Sequence, residues 1–262
     1  QTMAWIMDQY STQFGYAPGI VTGKPVELGG SFGREAATGR GVSIITQAAA
    51  ADQGIDIEGA RIIIQGFGNV GSYTAQLLSQ RGAKIIAVGD HTGALFNGDG
   101  FDIPALLEHA RREHCISGFP GEAIEGDTLL EQACDILIPA ALGGVITKDN
   151  ANDVQARMVV EAANSPITTI GDEILNERNI LVVPDILANA GGVTASYFEW
   201  VQNVQAFSWD EDRVNEQLEK YMLQAYQSVR SIMEERSAHM RTAAFSIAIE
   251  RVAKAEKIRG DL

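Results

Sequence analysis

Apolar residues along this chain fall into two rhythms. Short β-branched and aliphatic runs recur at residues 61–65 (RIIIQ), 84–88 (KIIAV), 135–138 (DILI), 158–161 (MVVE) and 180–183 (ILVV). Continuous runs of this kind fit strands buried on both faces of a parallel sheet. Between them the 3.6-residue period predicts helices over 38–52, 70–80, 104–114, 127–133 and 169–177. Thr38 can cap the first of these, the alanine run 48–51 favours it, and Gly54 closes it. Strands alternating with helices predict an α/β fold, a doubly wound Rossmann-like parallel sheet.

The two ends break the alternation. Residues 2–10 (TMAWIMDQY) read as an amphipathic helix without a capping residue before it, and the chain opens on Gln1 rather than methionine, as a piece cut from a longer chain would. A connector over 15–33 follows, where Pro18, Pro25 and paired glycines forbid a helix. Beyond the last strand, 192–207, 210–236 and 242–257 read as long helices, a C-terminal tail that either caps the sheet or packs on another domain.

Composition narrows the partners. With 45% hydrophobic residues in 262 the chain can bury a sizeable core. A formal charge of −14 argues against nucleic acid, whose phosphates need a Lys/Arg surface. No apolar run approaches the roughly 20 residues that span a bilayer, so no membrane partner is expected. Cys115 and Cys134 are the only cysteines, too few for a disulfide scaffold, which fits a reducing cytoplasm. His114 beside Cys115 lacks a second ligand pair, so no metal site is expected.

The chemistry concentrates at Gly66-Phe67-Gly68-Asn69-Val70-Gly71, a G-x-G-x-x-G run between a strand and a helix. Gly66 would make the tight turn, Gly68 would let the backbone approach a pyrophosphate, and Gly71 would let the helix lie against the strand. The helix start then offers free N–H groups and its positive dipole end to phosphates. Asp90 ends the next strand about 20 residues on, where it would accept bonds from the adenosine ribose and favour NAD over NADP. His91 and Thr92 follow it and can instead help hold a phosphate, and Asp90 can also simply end its strand.

Other segments carry a resemblance. The stretch Thr22-Gly23-Lys24-Pro25-Val26-Glu27-Leu28-Gly29-Gly30-Ser31, then Arg34 and Ala37-Thr38-Gly39-Arg40-Gly41, resembles the segment joining the two domains of hexameric glutamate dehydrogenases, within the Glu/Leu/Phe/Val dehydrogenase superfamily. Met3-Ala4-Trp5-Ile6-Met7-Asp8, Pro139-Ala140-Ala141-Leu142, Glu161-Ala162-Ala163-Asn164, Pro184-Asp185-Ile186-Leu187-Ala188-Asn189-Ala190-Gly191-Gly192-Val193 and Ser196-Tyr197-Phe198-Glu199-Trp200 extend the match.

The resemblance implies roles. Thr38 and Asn189 would bind the nicotinamide carboxamide, Asn164 the nicotinamide ribose, and Ala140 would pack beside the cofactor, NAD or NADP. A helix cap for Thr38 and turn positions for the asparagines are the plainer readings. Val193 and Ser196 would line the side-chain pocket, the serine favouring L-glutamate and 2-oxoglutarate over branched-chain or aromatic amino acids. Arg34 would pair with a substrate carboxylate or form an interdomain salt bridge. No catalytic residue is expected in this chain, because the family's catalytic lysines and aspartate belong to an N-terminal domain, and Lys24 matches the connector instead. The implied division is a connector and helix at 1–45, a dinucleotide-binding domain at 46–207 and a helical segment at 208–262. The intact enzyme is expected to be a homohexamer that deaminates glutamate oxidatively; the alternatives are a branched-chain or aromatic amino-acid dehydrogenase and a non-catalytic nucleotide-binding module.

Overall fold

A computed structural model describes residues 1–260. Helix α1 (Thr2–Phe14) leads into the connector, where prolines and positive-φ glycines allow only short 3-10 turns at Pro18–Ile20 and Val26–Leu28. Then come α2 (Ala37–Asp52), β1 (Arg61–Gln65), α3 (Asn69–Ser79), β2 (Lys84–Asp90), β3 (Gly93–Phe96), α4 (Ile103–Glu113) and β4 (Glu122–Ile124). A 3-10 turn at Asp127–Glu131 precedes β5 (Cys134–Pro139), β6 (Ala156–Val160), α5 (Thr169–Glu177), β7 (Leu181–Val183) and the single-turn α6 (Asp185–Ala188). Helices α7 (Gly191–Gln205), α8 (Glu211–Arg236) and α9 (Met240–Arg259) complete the order. The last two residues of the expected 208–262 segment lie outside the described residues.

Among the described residues, seven strands form one sheet in the order β4-β3-β2-β1-β5-β6-β7. The strands that the apolar runs predict, β2, β1, β5, β6 and β7, are all mutually parallel. The doubly wound parallel sheet expected from the sequence is present, and at one edge β3 and β4 extend it with antiparallel strands. Their sequences, GALF and EAI, are too short and too poor in β-branched residues to announce a strand. A hairpin forms them: Asp90 pairs with Gly93, leaving His91 and Thr92 as a two-residue loop, and Gly93 adopts a φ of 137°.

Alternation within β1 explains why the sheet is covered on both faces. Ile62 and Ile64 point into one core with Val42 and Ile45 of α2, Leu78 of α3 and Leu106 of α4. Ile63 points into the other, with Leu129, Leu137, Ile146 and Leu175. In the tail, Val214, Leu218, Met222, Tyr226 and Val229 form one buried stripe of α8 that joins the α2 side of the core. The Tyr226 hydroxyl donates to Asp52 Oδ2 at 2.8 Å, fixing α8 against the end of α2.

Two local expectations are corrected. Thr38 does not cap α2, which starts at Ala37 behind Ala36 with no side-chain cap bond. Within the expected helix 127–133, only Asp127–Glu131 is helical, and as a 3-10 turn rather than an α-helix.

Burial has a measurable consequence at the start of β5. It pushes the Cys134 thiol up to about 12, with the neighbouring Asp135 carboxylate adding to the effect. The thiolate is the reactive form, so alkylation of Cys134 at pH 8 is expected to run about a thousandfold slower in the native chain than in urea. Peptide mapping after timed labelling checks this; equal rates in the two states would mean that the start of β5 is open.

Candidate functional site

The direction of chain progression across the sheet reverses at β1. From β1 the chain steps to β2 on one side, while β5 lies on the other, so the carboxyl ends of β1 and β5 flank a crevice. Ligands of open α/β sheets bind at such switch points. The backbone keeps this row in register beyond the strands. Gly66 N donates to Gly89 O at 2.8 Å, Ala140 N to Gln65 O at 2.7 Å, and Ala163 N to Pro139 O at 2.8 Å.

Gly66 has a φ of 103° and packs on residues 140–141, where a Cβ would lie 2.8 Å from Ala140 C. A Cβ at Gly71 would lie 1.8 Å from Gly66 O, so this glycine sets how closely α3 rests on the strand end. Gly68 is different: a Cβ there would meet nothing within 4 Å. Gly68 also stands at the N-cap of α3 without a side-chain cap bond, so side chains leave the first-turn N–H groups of that helix uncapped. Phe67 is buried, Val70 packs against the core, and Asn69 Nδ2 donates to Glu35 O at 2.9 Å, tying the turn to the segment before α2.

Asp90 sits beside this turn, and its carboxylate is already engaged. Oδ1 accepts from Thr92 N at 2.7 Å and from the Thr92 hydroxyl at 2.5 Å, while Oδ2 accepts from Ile116 N at 2.7 Å. These bonds occupy three of the roughly four acceptor positions of a carboxylate. His91 Nδ1 lies 3.9 Å from Oδ2.

Further along the row, Asn164 follows β6 and Asn189 follows α6. Asn189 Nδ2 donates to Asn164 Oδ1 at 2.8 Å and to Ala162 O at 3.3 Å, so the two amides form one unit. Thr38 reaches the same region because α2 and α7 cross with their backbones touching. A Cβ on Gly41 would lie 2.9 Å from Gly191 Cα, and one on Gly192 would lie 2.4 Å from the Thr38 hydroxyl. Only glycine permits that approach.

One face of α7 holds the connector. Arg34 Nε donates to Ser196 Oγ at 3.0 Å, and Ser196 Oγ donates to Gly192 O at 3.1 Å. Glu199 accepts from Gly23 N at 2.8 Å and pairs with Lys24 Nζ at 2.5 Å, both side chains being fully buried. Gln202 Nε2 reaches Ser31 Oγ at 3.1 Å and Asn203 Nδ2 reaches Gly29 O at 2.7 Å. Positions 196, 199, 202 and 203 share a helix face, which is why one helix organises the whole segment. Val193 is exposed on the same helix, beside Tyr197, Trp200 and Val204.

The structure therefore brings Gly66–71, Ala140, Asn164, Asn189 and Thr38 to one row of strand ends and helix starts, and pairs Arg34 with Ser196. Sequence reasoning assigns no role to Glu161 or Arg241, which the structure joins. Glu161, fully buried directly after β6, accepts from Arg241 Nη1 at 2.9 Å and Nη2 at 2.7 Å. Local periodicity gives no signal for a pair separated by 80 residues. A hollow of about 620 Å³ lies between α2, α3 and α8 among Arg40, Gln47, Arg81 and Asn215, away from the strand ends. Among the described residues no helix is long and apolar enough to cross a membrane, and no cluster of His, Cys, Asp or Glu is arranged to hold a metal ion.

Known proteins share this fold. The chain is 47% identical over 262 residues to the cryptic catabolic NAD-specific glutamate dehydrogenase GudB of Bacillus subtilis (strain 168), covering 99% of this chain and 61% of that protein. Among solved structures, the Leu-bound hetero-hexameric glutamate dehydrogenase of Thermus thermophilus superposes with a TM-score of 0.92 at 34% identity, over 98% of this chain and 61% of that one. The glutamate dehydrogenase of Peptoniphilus asaccharolyticus gives 0.86 at 38% identity, over 99% and 62%. The chain thus spans about three-fifths of the length of each of these relatives. Residues 29–260 match the Glutamate/Leucine/Phenylalanine/Valine dehydrogenase model, and the chain belongs to that family.

Proposed function

We propose that this chain supplies the dinucleotide-binding half and one wall of the substrate cleft of an NAD-dependent glutamate dehydrogenase. The observation that carries the reading is the convergence, on one row of strand ends, of the Gly66–Gly71 turn with the Asn164–Asn189 pair. The residues fit a dinucleotide. Gly68 leaves open space where a side chain would stand, beside an uncapped helix start, which suits a pyrophosphate. When bound, the nicotinamide would accept the hydride from the α-carbon of the amino acid.

The residues of this chain would orient that transfer. With its Nδ2 committed to Asn164 and Ala162, Asn189 offers Oδ1 to the carboxamide NH2, and Thr38 offers its hydroxyl from the adjoining helix. Asn164 keeps its Nδ2 for a ribose hydroxyl, and Ala140 forms the apolar side of the crevice beside Gly66. Asp90 would act through its charge more than through free lone pairs. A carboxylate at the end of β2 repels a 2′-phosphate, which favours NAD, in line with the NAD-specific Bacillus relative.

Glutamate rather than leucine is favoured by the Arg34–Ser196 contact. It brings a fixed positive charge and a hydroxyl to one point beside Val193. A distal carboxylate can use both, whereas an aliphatic side chain would leave them unpaired, at a cost of about 1 to 3 kcal/mol. The activating lysines and the proton-carrying aspartate are assigned to the part of the family that these residues do not match. On this reading the intact protein closes a cleft between the two parts and assembles as a homohexamer in the cytoplasm.

Two measurements test the proposal. Calorimetric titration of the 262-residue chain should give tighter binding of NADH than of NADPH, and a coupled assay should detect no glutamate turnover. Absence of NADH binding would remove the cofactor assignment, and turnover by this chain alone would remove the division of labour.

A further inference from the structure

Arg241 stands in the first turn of α9, outside every segment assigned to the dinucleotide site, yet its guanidinium reaches the base of that site. It donates two near-parallel bonds to the Glu161 carboxylate, at 2.9 and 2.7 Å, and a third to Asp172 Oδ1 at 3.1 Å, with Asp185 Oδ1 3.8 Å away. Glu161 passes the constraint on. Its Oε2 also accepts from Asp185 N at 2.8 Å, and Asp185 Oδ2 accepts from Ser165 N at 2.7 Å. Ser165 holds a φ of 46°, a left-handed conformation that a serine keeps only under restraint. The turn thus pinned carries Asn164, which locks Asn189.

We infer that Arg241 is a positioning residue for the nicotinamide end of the site, setting the Asn164–Asn189 amide pair through Glu161, Asp185 and the strained Ser165 turn. The inference rests on the dinucleotide reading above and extends it to the C-terminal tail. Geometry selects arginine at this position, because its planar fork meets a carboxylate with two parallel bonds, which a lysine cannot reproduce. Burial pushes the Glu161 carboxyl up and the Arg241 bonds draw it back, so removing the guanidinium leaves an uncompensated buried acid. The turn above that acid would then relax, while the pyrophosphate turn at Gly66–Gly71, on another strand, would not.

That difference defines the experiment. NADH and ADP-ribose share the adenosine and diphosphate, but only NADH carries the nicotinamide. In Arg241→Met, NADH affinity should fall about tenfold, the equivalent of losing one good hydrogen bond, while ADP-ribose affinity stays within about twofold. Arg241→Lys should keep the charge yet recover only part of the loss. If Arg241→Met does not fold, Glu161→Gln/Arg241→Met, which removes the fully buried acid together with its partner and leaves only the part-exposed Asp172 and Asp185 without the guanidinium, is titrated instead and should show the same selective loss. Equal loss of both ligands, or loss of neither, overturns the positioning role. Failure of the unaltered chain to bind NADH is a separate outcome, and it takes the dinucleotide reading down together with this one.

Discussion

Replacing Lys24 by methionine is expected to destabilise the chain by about 3 to 5 kcal/mol, the usual cost of breaking a buried ion pair by removing one partner. Lys24 and Glu199 have fully buried side chains 2.5 Å apart, so water cannot take over the role of the lost ammonium. The stranded Glu199 would keep its bonds from Gly23 N at 2.8 Å and Lys24 N at 3.3 Å but would lose its countercharge. Two amides offset only part of that desolvation. The double variant Lys24→Met/Glu199→Gln should recover most of the stability, because glutamine is neutral and its carbonyl still accepts from the Gly23 amide. Urea unfolding of the three chains measures this. A loss below about 1 kcal/mol in Lys24→Met would mean that the pair is solvated in practice. The same pair fastens the connector to α7, so the variant should also loosen the Arg34–Ser196 contact three residues before Glu199 on that helix.

Lys24 lies in the connector, where its sequence context puts it, but its partner is not legible in the sequence. Glu199 lies 175 residues away, and nothing in either local pattern points to the other. The same limit separates what the sequence predicts well from what it does not. The parallel strands around β1 are legible because burial on both faces demands uninterrupted runs such as Ile62-Ile63-Ile64. The hairpin that makes β3 and β4 is not, since its strands arise from a turn and from pairing with β2 rather than from their own composition. The glycine fingerprint points to a candidate site because its spacing falls between a legible strand and a legible helix. Asp90 shows the opposite case: its place at the end of β2 follows from the motif, but its bonds to Thr92 and Ile116 depend on how the following loop folds back. Arg241 belongs with Glu199, as a partner supplied by topology.

The fingerprint glycines offer the other large effect, and they separate fold from ligand. Gly71→Ala is expected to cost about 3 kcal/mol or more, at or beyond the upper end of ordinary overpacking. The added methyl would sit 1.8 Å from Gly66 O, a backbone atom that no rotamer change can move aside. Strand end and helix must part, and since Gly66 itself rests on Ala140 and Ala141, the displacement reaches β5. Gly68→Ala should behave differently. Its methyl meets nothing within 4 Å and its φ of −80° suits alanine, so the fold has no steric reason to object. Alanine is a poorer N-cap than glycine but also restricts the unfolded chain, and the two effects oppose each other, leaving a net change under about 1 kcal/mol. The open space is where a diphosphate would lie, however, so the methyl should lower NADH affinity at least tenfold, about 1.4 kcal/mol. Thermal unfolding and NADH titration on both variants give four readings. A Gly68→Ala chain that binds NADH as tightly as the parent would show that the diphosphate does not approach this backbone, and the cofactor would have to be placed elsewhere. A Gly71→Ala chain of unchanged stability would show that α3 does not depend on contact with Gly66, leaving the helix start without the fixed position that phosphate binding requires.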